Sequence, residues 1–182
     1  MIYIKIPKDR IGAVIGPKGS VRKQLEKRAG VKIDVDTVEN EVTIHDEAEG
    51  VNPLDLLKLQ DIIKAIGRGF SPEHAQRLWS DEAYFELLDI YDFVGKQKNH
   101  VRRVASRMIG AEGKTRRIVE EQTGCDLSIY GHTVGIIGNL DALTDAKHAC
   151  EMLLRGAEHA SVYRYLERKR REMKRAGNEL WE

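Results

Sequence analysis

The sequence predicts an α+β protein made of two tandem copies of one unit, each a three-stranded antiparallel sheet with three helices, plus a basic C-terminal helix. Three observations predict it. A short glycine motif occurs twice, as Ile15-Gly16-Pro17-Lys18-Gly19 and as Ile109-Gly110-Ala111-Glu112-Gly113-Lys114. At an offset of 94 residues the flanks match as well: Arg22/Arg116, Glu26/Glu120 and Gly30/Gly124 are identical, and Lys23/Arg117 keeps its charge. A chance glycine pair would not carry that context, so the chain holds an internal repeat. Around each motif, apolar spacing also reads in one order: strand, helix, glycine turn, helix, strand, strand, helix.

In the first copy, Ile2-Tyr3-Ile4-Lys5-Ile6 alternates apolar and polar as a half-buried strand, and Pro7 ends it. Asp9 is placed to cap a short helix through Ile15, with Ile11, Val14 and Ile15 on one face. Gly16 and Gly19 break that helix. Ser20 is placed to cap the next, which carries Val21 and Leu25 and stops at Gly30. Val31–Val35 and Val42–Ile44 read as the two further strands. Asn52-Pro53 opens a helix running to about Ile66, with a capping side chain and proline at the first helical position.

The connection from 69 to 84 contains a second capped start, Ser71-Pro72-Glu73, and a helix with Ala75, Leu78 and Trp79. Trp79 is read as packing between the copies, in preference to stacking on a base. The second copy opens with the strand Phe85–Ile90, followed by Val101, Val104, Ala105 and Met108 at helical spacing. Thr115 begins its next helix, which ends at Gly124; Cys125–Ile129 and Thr133–Ile137 are strands; and Asn139 caps a helix from Leu140 to about Leu154. Arg164–Arg175 reads as a basic helix with little apolar face, either solvated or touching phosphate. The expected boundaries are 1–68, 69–84, 85–157 and 158–182.

The order of elements around each GxxG resembles a type I KH domain, whose loop clamps the backbone of about four single-stranded nucleotides. The residue types suit that chemistry. Two glycines let phosphates approach backbone N–H groups and the positive end of the following helix. In the first copy the expected RNA-contacting set is Gly12, Ile15, Gly16, Pro17, Lys18, Gly19, Arg22 and Lys23, with Ile33 giving the groove an apolar wall. In the second it is Arg103, Arg107, Ile109, Gly110, Ala111, Gly113, Lys114, Arg116 and Arg117. Glu112 departs from the pattern, because a carboxylate in that loop repels phosphate.

The second copy, with Arg107 to Thr115 and then Ile137-Gly138-Asn139, is similar to the two-KH ribosome-assembly family whose eukaryotic members partner the Nob-one endonuclease. The intact first GxxG looks like the archaeal form. The resemblance covers about residues 3 to 157. It implies binding near the 3′ end of small-subunit (16S) rRNA during its maturation. It also implies association with the endonuclease and the pre-30S particle, with no catalysis by this chain.

Charge is sorted along a chain whose formal net charge is only +1. Residues 8–32 hold eight Lys/Arg against two acids, and 96–117 hold eight against Glu112 alone, so both motifs sit in basic blocks suited to a polyanion. Residues 34–61 hold nine acids against Lys58, which keeps a protein-interaction adaptor as the alternative reading. Residues 164–175 hold seven bases against two acids. Gly113-Lys114-Thr115 fails as a P-loop, because Met108 stands where that loop needs glycine and a helix precedes it where a strand is required. Scattered carboxylates make no two-metal site, and no catalytic residue, cofactor or metal is expected. His132 is read as a turn residue. Cys125 and Cys150 read as buried thiols of a cytoplasmic, reduced protein. No apolar run approaches the roughly 20 residues of a membrane span.

Overall fold

In the computed structural model, which describes residues 1–47 and 50–179, the chain divides into two compact units, Met1–Phe85 and Glu86–Glu182. Glu49 of the acidic stretch and the last three residues of the expected tail lie outside the described residues.

The first unit runs β1 (Ile2–Lys5), α1 (Ile11–Ile15), α2 (Ser20–Ala29), β2 (Lys32–Asp36), β3 (Glu41–His45), α3 (Pro53–Gly67) and α4 (Pro72–Ala75). Its sheet order is β1-β3-β2, with β3 antiparallel to both neighbours. The register pairs Ile4 with Val42 and Ile33 with Ile44, so the apolar alternation of all three strands falls on one face. The helices cover that face. Leu25 of α2 and Leu59, Ile62, Ile63 and Ile66 of α3 are fully buried. Asn52 caps α3 by accepting from the Leu54 N–H at 3.0 Å, as its Asn-Pro start predicts. Between β2 and β3, Asp36 accepts from the backbone N–H groups of Val38 and Glu39 at 2.7 and 3.0 Å, which closes the turn.

Two starts in this unit differ from their sequence reading. Asp9 does not cap α1: Lys8–Arg10 forms a 3-10 turn, and the α-helix begins only at Ile11. Ser20 is the first residue of α2 instead of its cap, because Gly19 in the left-handed region is the N-cap. In both places the chain tightens into a 3-10 turn before the helix, which moves the start by one or two residues.

The second unit runs β4 (Tyr84–Asp89), a one-turn α5 (Tyr91–Val94), α6 (Lys98–Ile109), α7 (Lys114–Thr123), β5 (Asp126–Tyr130), β6 (Thr133–Gly138), α8 (Leu140–Leu154) and α9 (His159–Glu179). The sheet order is β4-β6-β5, the same as in the first unit. β5 and β6 join through Gly131-His132, and His132 is indeed a turn residue, its Nδ1 2.9 Å from Asp89 and its ring stacked on Tyr91. Asn139 caps α8 by accepting from the Ala142 N–H at 2.9 Å. Cys125 and Cys150 are both buried. α9 differs from the sequence reading: Val162 and Leu166, one turn apart, are 0% exposed and belong to this unit's core. The helix is therefore a packed element over its first two turns, and an exposed basic arm beyond them. No described helix is long and apolar enough to cross a membrane.

Candidate nucleic-acid interface

The two GxxG loops share one backbone conformation. Gly16 has φ +72° and ψ 171°, Lys18 φ +52° and Gly19 φ +73°; their counterparts are Gly110 at +76° and 176°, Glu112 at +53° and Gly113 at +74°. The Gly19 N–H donates to Gly16 O at 3.1 Å and the Gly113 N–H to Gly110 O at 3.2 Å. Lys18 and Glu112 thus stand in the left-handed region, which costs a non-glycine residue roughly 1 kcal/mol. The first glycine of each pair does a separate job. A Cβ at Gly16 would lie 2.4 Å from Val21 Cγ2, and one at Gly110 2.3 Å from Thr115 Oγ1, so each packs against the helix that follows. The second glycines, Gly19 and Gly113, face open space.

Each loop leads directly into a helix of ten residues, α2 or α7, whose first N–H groups carry the positive end of the helix dipole. Around the first loop, Pro17, Lys18 and Lys23 are exposed, and Gly12 presents bare backbone with no atom within 4 Å of where its Cβ would be. Around the second, Arg103, Ala111, Lys114 and Arg117 are exposed, and Ile109 keeps 38% of its surface beside Gly110. Arg117 also donates to the Glu112 carbonyl at 3.3 Å, tying the loop to α7. Ile15, half-buried, completes the first loop's flank.

Two residues of the expected set, Ile33 and Arg107, are committed elsewhere, and two more, Arg22 and Arg116, keep partly exposed side chains beside a glutamate of their own helix. Ile33 is 0% exposed and is a core residue, not a groove wall, because β2 turns its apolar side toward the helices. Arg107 donates to the backbone oxygens of Leu153, at 3.1 Å, and of Ala157. Arg22 and Arg116 each lie beside the glutamate one turn on, 4.0 Å from Glu26 and 3.9 Å from Glu120. Those glutamates in turn accept from the amide of the second residue in the strand after the helix, Glu26 from Ile33 N–H at 2.8 Å and Glu120 from Leu127 N–H at 2.9 Å. The repeated Arg/Glu pair therefore joins helix to strand in both units.

Beside the first loop lies a cleft of about 730 Å³, lined by residues of α1, the loop and α2 including Gly12, Gly16, Pro17 and Val21, and on its other side by Pro72, Glu73 and Gln76 of the α4 segment. Gln76 donates to Gln24 Oε1 of α2 at 3.3 Å. Sequence reasoning missed this wall; the Ser71-Pro72 cap predicts the helix but not where it lands. Ala75 and Leu78 are buried, and Trp79 lies under the Arg28 guanidinium at 5.2 Å within the first unit. In the second unit, Thr115 holds the position equivalent to Val21, and its Oγ1 is 3.1 Å from the hydroxyl of Tyr163 on α9.

Both units fasten the element after the helix that follows their last strand, α3 or α8, in one way. Arg10 donates to Ile66 O at 2.9 Å and Phe70 O at 2.6 Å; Arg107 donates to Leu153 O and Ala157 O. In each case one guanidinium caps the helix C-terminus and the carbonyl four residues on. Among the described residues no cluster of three or more His, Cys, Asp or Glu side chains is placed to hold a metal.

Residues 84–171 match the family described as "Eukaryotic type KH-domain (KH-domain type I)", and residues 1–53 match the KH domain family. A KH domain-containing protein of Methanocaldococcus jannaschii is 49% identical over 178 residues, 98% of this chain and 78% of that protein. The crystal structure of a protein of unknown function from Aeropyrum pernix matches with TM-score 0.92 and 41% identity, over 99% of this chain and 96% of that one. Dim2p from Pyrococcus horikoshii matches with TM-score 0.83 and 48% identity, over 92% and 98% of the two chains. The same organism's complex of a/eIF2alpha, aDim2p and rRNA contains a chain matching at TM-score 0.86 and 47% identity, over 94% of each.

Proposed function

The chain belongs to the archaeal two-KH family that is the counterpart of the eukaryotic partner of Nob-one, and on that premise we propose that it binds single-stranded RNA near the 3′ end of 16S rRNA during ribosome biogenesis, without catalysis of its own. The observation that carries this reading is the shared backbone of the two GxxG loops, each opening onto a helix start flanked by exposed cations. Phosphates are held by loop and helix N–H groups, while Lys18, Lys23, Lys114 and Arg117 supply neutralising charge. Bases then lie along the adjoining apolar strip: Gly12 and Ile15 in the first unit, Ile109 in the second. The Pyrococcus relative assembled with rRNA supports this choice of partner. The maturation endonuclease and the pre-30S particle are proposed partners on the strength of the family alone.

The test is fluorescence anisotropy at one stated salt concentration, with a single strand matching the 3′ end of 16S rRNA, its scrambled version and its duplex. Preference for the authentic single strand is the expected result; equal weak binding to all three overturns the reading. A second reading, a protein-docking role, is favoured by one observation: that relative's complex also contains a/eIF2alpha. The acidic stretch 34–61 is the surface it would use, and binding of an initiation-factor α subunit that survives saturating RNA would establish it.

A further inference from the structure

The terminal helix carries a surface that the two GxxG sites do not account for. α9 lies beside α7 and runs in the same direction, since Tyr163 meets Thr115 and, seven residues on in both helices, Arg170 donates to Gln122 Oε1 at 3.4 Å. The seven-residue step is about 10 Å of helix. The Tyr163–Thr115 pair is at the second GxxG loop, so the Arg170–Gln122 pair lies at the far end of α7. There a cleft of about 450 Å³ opens, lined by Gln122, Glu167, Arg170, Arg171 and Lys174.

The charge balance at that end is one-sided. Glu172 faces Arg168 at 4.0 Å and Lys169 at 3.4 Å. Arg170, Arg171 and Lys174 make no ion pair among the described residues, and the cleft holds these three exposed cations against Glu167. Three like charges gathered beside one carboxylate repel each other in the free protein, and a chain of phosphates relieves that repulsion. The fold adds a reason for this placement. α4 in the first unit stops after four residues, whereas its counterpart in the second continues to Glu179 and carries its cations beyond the end of α7.

Resting on the RNA-binding reading above, we propose that the α7–α9 cleft is a second phosphate-binding site, one that holds the backbone of the same RNA where it leaves the second GxxG loop. The loop clamps about four nucleotides; the cleft adds affinity only for strands long enough to reach it. It carries no base selectivity, since Arg170, Arg171 and Lys174 meet phosphate as charges.

The experiment compares two single-stranded RNAs, one of about six nucleotides and one of about twenty containing it, against wild-type protein and an Arg170→Gln/Arg171→Gln/Lys174→Gln variant. The expected result is that the variant loses roughly tenfold in affinity for the long strand and none for the short one. Its salt slope on the long strand should also fall by about 2, at about 0.7 for each phosphate that the variant no longer neutralises. Arg170→Lys/Arg171→Lys keeps the charge and should bind as wild type does. A neutral variant that binds the long strand like wild type, or loses the same factor on both strands, overturns the site. Wild-type protein that binds neither strand overturns the RNA reading itself.

Discussion

At the scale of single residues, the four loop glycines are not equivalent. Gly16 combines φ +72° with a Cβ position 2.8 Å from the Val21 backbone nitrogen, whereas Gly19 has a similar φ and open surroundings. Gly16→Ala should therefore cost about 3 kcal/mol by thermal or urea unfolding, and Gly19→Ala about 1 kcal/mol, since only the first adds a backbone clash to the left-handed strain. Equal costs would show that the loop relaxes away from Val21. A clean test of RNA contact thus leaves the first glycines alone. Lys18→Asp reverses the charge at a left-handed position that aspartate tolerates well, so the fold should persist while RNA affinity falls about tenfold. Glu112→Lys should act in the opposite sense on the second loop, and anisotropy titrations of both variants check the pair. The glycine motif and its cations were legible because they are local. The burial of Ile33 and the engagement of Arg107 were not, because each depends on a partner that sequence spacing alone does not assign to it.

At the scale of elements, capping chemistry explains what the sequence revealed. The starts of α3, α4 and α8 follow from Asn52, Ser71 and Asn139, whose side chains each accept from an N–H two or three residues on. Interaction with a helix end at long range left no such mark. Arg107 reads as one more cation in a basic block, yet it crosses 46 residues to cap α8 and hold the start of α9. Removing it leaves the Leu153 and Ala157 carbonyls without this cation, so Arg107→Ala should destabilise the second unit by about 2–3 kcal/mol. RNA affinity per folded molecule should be unchanged. Loss of affinity with undiminished stability would instead return Arg107 to the RNA interface. The packing of α9 is hidden for a related reason. Val162 and Leu166 are two apolar positions in a helix otherwise dominated by charge, and only the core of the second unit makes them a packing face.

At the scale of the whole molecule, titration should set the two units apart. In the first, Asp34, Asp36, Asp46 and Asp81 are held below the ordinary carboxylate value by His45, by the Glu39 and Val38 N–H groups, by the chain's amino terminus and by Lys58 respectively. Groups lowered in the folded state contribute stability above their unfolded value of 3.8, and it is lost as pH falls below that; burial of Asp61, which raises its pKa, partly offsets them. In the second unit, burial pushes the Cys150 thiol from 9.0 up to about 12, and burial followed by Asp145 pushes Tyr165 from 10.0 up to about 12. Here the sign is reversed. The folded unit keeps protons that the unfolded chain releases, so stability is complete below pH 9 and declines through the window up to about 12, at about 1.4 kcal/mol per pH unit for the buried thiol alone. The ammonium of Met1, raised by Asp46, adds only an exposed contribution on the first unit's alkaline side. Urea unfolding followed by amide NMR, unit by unit, should therefore show the second unit's midpoint falling more than the first's between pH 8 and 10.5. In the same protein, both thiols should resist a thiol reagent at pH 8 until urea opens that unit. Midpoints that fall together, or a Cys150 that reacts in the native state, would mean that α8 and α9 do not seal the thiol as their packing requires.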